Sequence, residues 1–179
     1  MSFLDSELVS SGANSIQDTL LTWGNEVVDK LKKSLRAKIS EGTSDGLQNS
    51  MIVLPIEIGE SRFTLMFQSK DYWKFIDKGV SGAGGNKADG SAWVNKGAGS
   101  PFSYRTKQPP IKRGEGISFW AYAKGLNEWA VAKSVFHSGI KATHFWTDVI
   151  NKSLVKDLVK RLEKAGAKNV ELIIAKDFK

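Results

Sequence analysis

The sequence predicts an α+β fold: a long N-terminal helix, a small, mostly antiparallel sheet made of a β-hairpin and a C-terminal strand, helices packed on that sheet, and a long glycine-rich loop. Three observations predict it. Apolar residues recur at steps of three and four over residues 14–40 and again over 145–165, the period of a helix with one buried face. Two short runs, Met51-Ile-Val-Leu-Pro-Ile-Glu-Ile58 and 62–69, in which Phe63, Leu65 and Phe67 alternate with Arg62, Thr64 and Gln68, flank the turn Gly59-Glu60-Ser61. The order of elements is helix, two strands, helices, strand. It lacks the strict strand–helix alternation that builds a parallel sheet.

The first helix places Ile16, Leu20, Trp23, Val27, Leu31, Leu35 and Ile39 on one face. Ser15 and Asp18 read as a capping-box-like start, with Asp where Glu or Gln is usual. Lys30, Lys32, Lys33, Arg36 and Lys38 crowd its last turns, where cations suit the helix dipole and solvent covers them. Gly42, Asp45 and Gly46 end it. In the hairpin, Phe63, Leu65 and Phe67 form the apolar set of the second strand. Pro55 cannot donate to a ladder, so the first strand is an edge or carries a bulge. Tyr72–Asp77 reads as a short aromatic helix or turn.

Residues 79–108 form the glycine-rich loop, with Trp93, Phe102 and Tyr104 inside it. A loop of this length in a compact domain is usually functional or disordered. Its aromatics are anchors that dock on a partner, or they fold back on the domain's own core. Pro109-Pro110 suit the first turn of a helix carrying Ile117 and Trp120 and stopping at Lys124-Gly125. A helix over Asn127–Ser138 follows, with Trp129, Val131, Ala132, Val135 and Phe136 as its core side. Gly139 stops it. One helix then spans Phe145–Ala165 up to Gly166, and 169–175 is the last strand. All 179 residues read as a single domain.

The composition narrows the chemistry. The chain has no cysteine, which removes disulfides, thiolate metal sites and Cys nucleophiles. Residues 1–11 lack the pattern of a secretory signal, and no apolar run approaches the roughly 20 residues that span a bilayer. The reading is a protein made in a cytoplasm, with no membrane partner. The formal net charge of +7 points to nucleic acid or an acidic partner surface, or to solubility alone. Lys87, Lys96, Arg105, Lys107, Lys112 and Arg113 are interleaved with aromatics, balanced up to Arg113 by Asp89 alone. Such a stretch can track a phosphate backbone, or it is a loop kept soluble by charge.

Catalytic parts are scarce. His137 and His144 are the two histidines, and they lack an HExxH-like context. No Gly-x-Ser-x-Gly elbow, Walker-type loop or dinucleotide fingerprint is present. The expectation is a protein that is no enzyme and holds no cofactor and no metal.

An ordered set of segments carries a resemblance. These are Tyr72-Trp-Lys-Phe-Ile-Asp-Lys-Gly79, a variable glycine-rich stretch, Pro109-Pro110-Ile111, Ile117…Trp120…Lys124-Gly125, and Gly139-Ile-Lys-Ala-Thr-His-Phe-Trp146. Together, over about residues 51–150, they resemble tailed-phage neck, head–tail connector and tail-completion proteins. Val80-Ser81-Gly82 stand where that family has a basic residue and Pro-Gly, and the family's short loop is expanded here to 79–108. The resemblance implies a non-catalytic virion structural protein forming a homo-oligomeric ring at the neck or tail end of the head–tail junction. It implies other neck, portal-side or tail proteins as neighbours and non-specific contact with packaged DNA. The candidate interface residues are Tyr72, Trp73, Phe75, Asp77, Gly79, Trp93, Phe102 and Tyr104. The candidate DNA or acidic-partner contacts are Lys87, Lys96, Arg105, Lys107, Lys112 and Arg113. The alternative function is a sequence-independent nucleic-acid-binding module.

Overall fold

The computed structural model describes residues 3–39, 45–54, 57–59, 62–104, 121–122 and 124–167. The predicted strand 169–175 and the helix starting at Pro109-Pro110, up to Trp120, lie outside the described residues. The described residues form an α+β protein with six helices and three two-stranded antiparallel pieces. The sequence reads as one domain, whereas the chain divides into two compact units. A terminal unit joins Met1–Asp71 to Phe145–Lys179, and an inserted unit spans Tyr72–His144.

The terminal unit is built on α1, Phe3–Lys38. At 1.5 Å per residue it is about 54 Å long. Leu20, Trp23, Val27, Leu31 and Leu35 are buried along its predicted face, joined by Val28. Ile16 and Ile39 are half-buried at the ends of that stripe. The start differs from the expected Ser15. The helix runs on to Phe3, and the Ser15 carbonyl accepts a bond from Thr19 Oγ1 at 2.8 Å, one turn inside the helix. Leu4, Glu7, Leu8 and Ala13 are good helix formers, and the lone Gly12 costs only about 1 kcal/mol.

A short helix α2, Asp45–Gln48, follows and seats Leu47 and Met51 in the core. Arg36 Nε donates to Gln48 Oε1 at 2.5 Å, so buried Gln48 keeps a charged partner. The predicted hairpin is present in two pieces. β1, Ile52–Val53, pairs with β4, Phe67–Gln68; β2, Glu57–Gly59, pairs with β3, Arg62–Thr64. Val53 faces Phe67 and Glu57 faces Thr64. The first strand therefore takes one residue more than the second between those pairs, a bulge-like register shift. The sequence places Pro55 in this interval, and Pro55 itself lies outside the described residues.

The C-terminal part of this unit is two helices, where the sequence suggests one. α5 is Phe145–Val149 and α6 is Lys152–Lys164. (α3 and α4 belong to the inserted unit and are α3, Trp73–Lys78, and α4, Glu128–Ser138.) The break is made by Asn151. Its backbone is extended, and its side-chain oxygen accepts from Ser153 N and Leu154 N, both at 3.0 Å. Asparagine caps a helix better than it continues one, and the apolar period alone hides this. Phe145, Leu154, Leu158 and Leu162 are buried, and α1 packs against both helices. Trp23, Phe67 and Trp146 form an edge-on aromatic chain, with centroids 6.4 and 6.3 Å apart.

Arg161 ties α6 to α1. It donates to Glu26 Oε1 at 2.9 Å and lies 2.9 Å from Asp157. Lys38 and Asp148 form a second ion pair. The hydrogen bond from Arg161 holds the Glu26 carboxyl below its ordinary value. A depressed folded-state pKa adds stability above the unfolded pKa, and this is lost as pH falls through the folded one. Both side chains are part-exposed, at 35% and 41%, so the pair contributes less than about 1 kcal/mol. Glu26→Gln should therefore lower stability slightly at neutral pH, and the difference from wild type should shrink progressively as pH falls through and below the ordinary carboxylate range. Urea melts across pH check this. Leu31, 1% exposed, should cost about 3 kcal/mol when changed to alanine, because it leaves a cavity in the middle of the α1 face.

Candidate functional site

The inserted unit holds most of the candidate residues, and its glycine-rich stretch is folded along its described length, 79–104. The backbone approaches itself too closely for a side chain at Gly79, Gly82, Gly97 and Gly139, and the last two meet at one oxygen. A Cβ on Gly97 would lie 1.9 Å from the Val80 carbonyl oxygen. A Cβ on Gly139 would lie 2.2 Å from the same oxygen, and Gly139 has φ of +75° besides. This crossing is where β5, Val80–Ser81, pairs antiparallel with β6, Gly139–Ile140.

Asn95 fastens the loop to that crossing. Its Oδ1 accepts from Gly82 N and Gly97 N, both at 3.1 Å, and its Nδ2 donates to Ser81 Oγ at 2.9 Å. Ser100 Oγ donates to the Gly79 carbonyl at 2.8 Å. Ser81 N donates to the Phe102 carbonyl and Lys96 N to the Ser138 carbonyl. Sequence reasoning missed Asn95, Ser81 and Ser100. The only signal was polar residues flanking glycines, which reads equally well as an unstructured loop.

The loop aromatics face their own unit. Trp93 stacks on His137 at 5.4 Å and 10°. Phe102 meets Phe75 edge-on at 4.8 Å, and Tyr104 lies 5.8 Å from Phe136. Partial burial pushes the Tyr104 phenol above its ordinary pKa. Of the two sequence alternatives, the packing matches the one in which these side chains fold back. Trp73 and Phe75 are half-buried and Tyr72 is exposed. Asp77, 0% exposed, and Gly79 are buried and offer no surface.

Lys87 and Lys96 are exposed, and Lys87 Nζ stands 5.5 Å from the Trp93 ring centre. Arg105, Lys107, Lys112 and Arg113 lie outside the described residues. His137 Nδ1 is 2.6 Å from the Gly84 carbonyl, which only accepts, so the ring proton sits on Nδ1. His144 is exposed with φ of +53°, and its N–H donates to the Asp77 carbonyl at 2.8 Å. The two histidines do not share a site. Among the described residues, no group of three His, Cys, Asp or Glu is placed to hold a metal.

α4 begins as expected at Asn127, whose side chain accepts from Trp129 N and Ala130 N. Ala132 and Phe136 are buried, but Trp129 is not in the core. It sits on the first turn, ahead of the packed part of the face, and is 62% exposed. Tyr122 at 84% and Leu126 at 48% are exposed as well.

The glycine crossing makes a sharp stability prediction. Gly97→Ala should destabilise the protein by at least about 2 kcal/mol more than Gly90→Ala. Gly90 has open space around it, so its cost is confined to its positive φ. Chemical denaturation followed by tryptophan emission would compare the two.

No protein-family profile, curated protein or solved structure matches this chain. Among the described residues, no helix is long and apolar enough to cross a membrane.

Proposed function

We propose that this chain is a non-catalytic virion assembly protein of a tailed phage, forming a ring at the head–tail junction as a connector or tail-completion component. One observation carries this reading beyond the sequence resemblance. The two outer segments of the resemblance fold directly against each other. Thr143 N and Oγ1 both donate to the Ile76 carbonyl, at 3.1 and 2.8 Å, and His144 N donates to the Asp77 carbonyl. Gly79 lies against Ile140 and Ala142, where a Cβ would be 2.5 Å from the Ile140 oxygen. Segments more than 60 residues apart in sequence are thus one structural element. An ordered motif set gains weight when its ends share a backbone junction, since each end then explains the residue types at the other.

Asp77 and Gly79 then serve this junction from inside. The subunit or neighbour contacts fall to exposed groups, with Tyr72 joined by Tyr122, Leu126 and Trp129. Ring subunits make heterologous contacts that close by rotation, and exposed aromatics are typical anchors for them.

The test has two parts. The purified protein should show a mass that is a fixed multiple of 19.7 kDa, alone or after addition of its particle neighbours. Particles lacking the gene should show filled heads and tails that fail to join, or unstable tails. Normal infectious particles without the protein would overturn the proposal.

A further inference from the structure

Charge is divided unequally between the two units. Residues 72–144 hold eleven Lys and Arg against four Asp and Glu, while the rest of the chain holds fifteen of each. The whole formal net charge of +7 therefore resides in the inserted unit. One of that unit's four acids, Asp77, is fully buried and adds nothing to its surface.

Four of the seven lysines described in that unit are also gathered. The run His137–Lys141 closes α4 and forms β6, and four exposed lysines border it. Lys141 belongs to the run. Lys78 precedes Gly79, whose backbone lies against Ile140 and Ala142. Lys96 donates its backbone N–H to Ser138. Lys87 stands over Trp93, which stacks on His137. Five residues span at most about 17 Å. Over that length one nucleic-acid strand presents roughly five phosphates, at 3.4 Å each.

We infer that Lys78, Lys87, Lys96 and Lys141 form a phosphate-backbone-binding strip on the inserted unit, and that its partner is nucleic acid read without regard to sequence. Two of these lysines, Lys78 and Lys141, lie outside the loop that sequence alone marks as basic. The strip has the features the partner requires. Its charges are compact ammonium groups on flexible stems, which suit point contacts to phosphate and carry no base readout. Its spacing follows backbone pairing that the Gly97 and Gly139 crossing fixes. The cations near the end of α4 also suit that helix's dipole, but this accounts for neither Lys78 nor Lys87. The inference stands apart from the ring proposal and holds whether the chain acts alone or assembled.

The experiment is fluorescence anisotropy with a labelled mixed-sequence DNA duplex, titrated across salt. Two quadruple variants are compared with wild type. One changes Lys78, Lys87, Lys96 and Lys141 to Gln; the other changes Lys152, Lys156, Lys160 and Lys164 of α6 to Gln. Both lose the same net charge, and all eight lysines are exposed. The strip variant should bind at least about tenfold more weakly at low salt, with a log–log salt slope flatter by about 3 to 4. The α6 variant should stay within about twofold of wild type. Equal losses in both variants, or no binding by wild type at low salt, would overturn the inference. So would displacement of the duplex by polyglutamate at equal charge concentration, which assigns the surface to an acidic protein. If the strip quadruple variant does not fold, the pairs Lys78→Gln/Lys141→Gln and Lys87→Gln/Lys96→Gln should each show about half the slope change.

Discussion

The inserted unit depends on one steric constraint. At the crossing of β5 and β6, the Val80 carbonyl oxygen is met by two backbone positions that leave no room for a Cβ, Gly97 and Gly139. Close approach there lets Lys96 N reach the Ser138 carbonyl and lets Asn95 bridge Gly82, Gly97 and Ser81. Once the loop is fastened at this point, Trp93 can reach His137, and Phe102 can reach Phe75. A stretch rich in glycine thus becomes ordered because its glycines are used for contact. Elsewhere the same residues would only raise the entropy lost on folding.

The terminal unit rests on a different principle. Its long helix supplies a continuous apolar stripe, and β1, α5 and α6 pack against that helix. Leu31 and Leu35 are almost wholly buried, and α5 and α6 cover the face from chain positions more than 100 residues later. The ion pairs at Arg161 and Lys38 sit at the margins of this packing. They orient helices already held by apolar area, since exposed pairs contribute little.

Much of this was legible in the sequence, for physical reasons that differ by element. The α1 stripe was readable from Leu20 to Leu35 because a helical period repeated over many turns has few alternative explanations. The helix over Glu128–Ser138 was bounded correctly, since Asn127 and Gly139 have strong local preferences at helix ends. Periodicity failed at Asn151, where a local side-chain bond outweighed a continuing apolar pattern. It failed at Ser15, where a capping-like pair sits inside a helix. The candidate site was the least legible. Whether Trp93 faces a partner or His137 is decided by long-range contacts through Asn95 and Gly97, and no local period encodes these. Division into two units was hidden as well, because α1 and the helices α5 and α6, far apart in sequence, meet only in the folded state.

That division bears on how the molecule meets its surroundings. A protein whose net charge were spread evenly would feel a polyanion weakly from every side, since at physiological salt a charge acts over only about 8 Å. Confining the excess to residues 72–144 raises the local field without changing the total. Burying Asp77 removes a compensating carboxylate from that surface, while the neutral terminal unit is free to carry packing contacts. The same glycine crossing that orders the loop also brings Lys78, Lys96 and Lys141 beside one short run of backbone. Fold and electrostatics therefore share a cause: a backbone junction too tight for side chains makes its neighbours both rigid and close, and the neighbours here are cations.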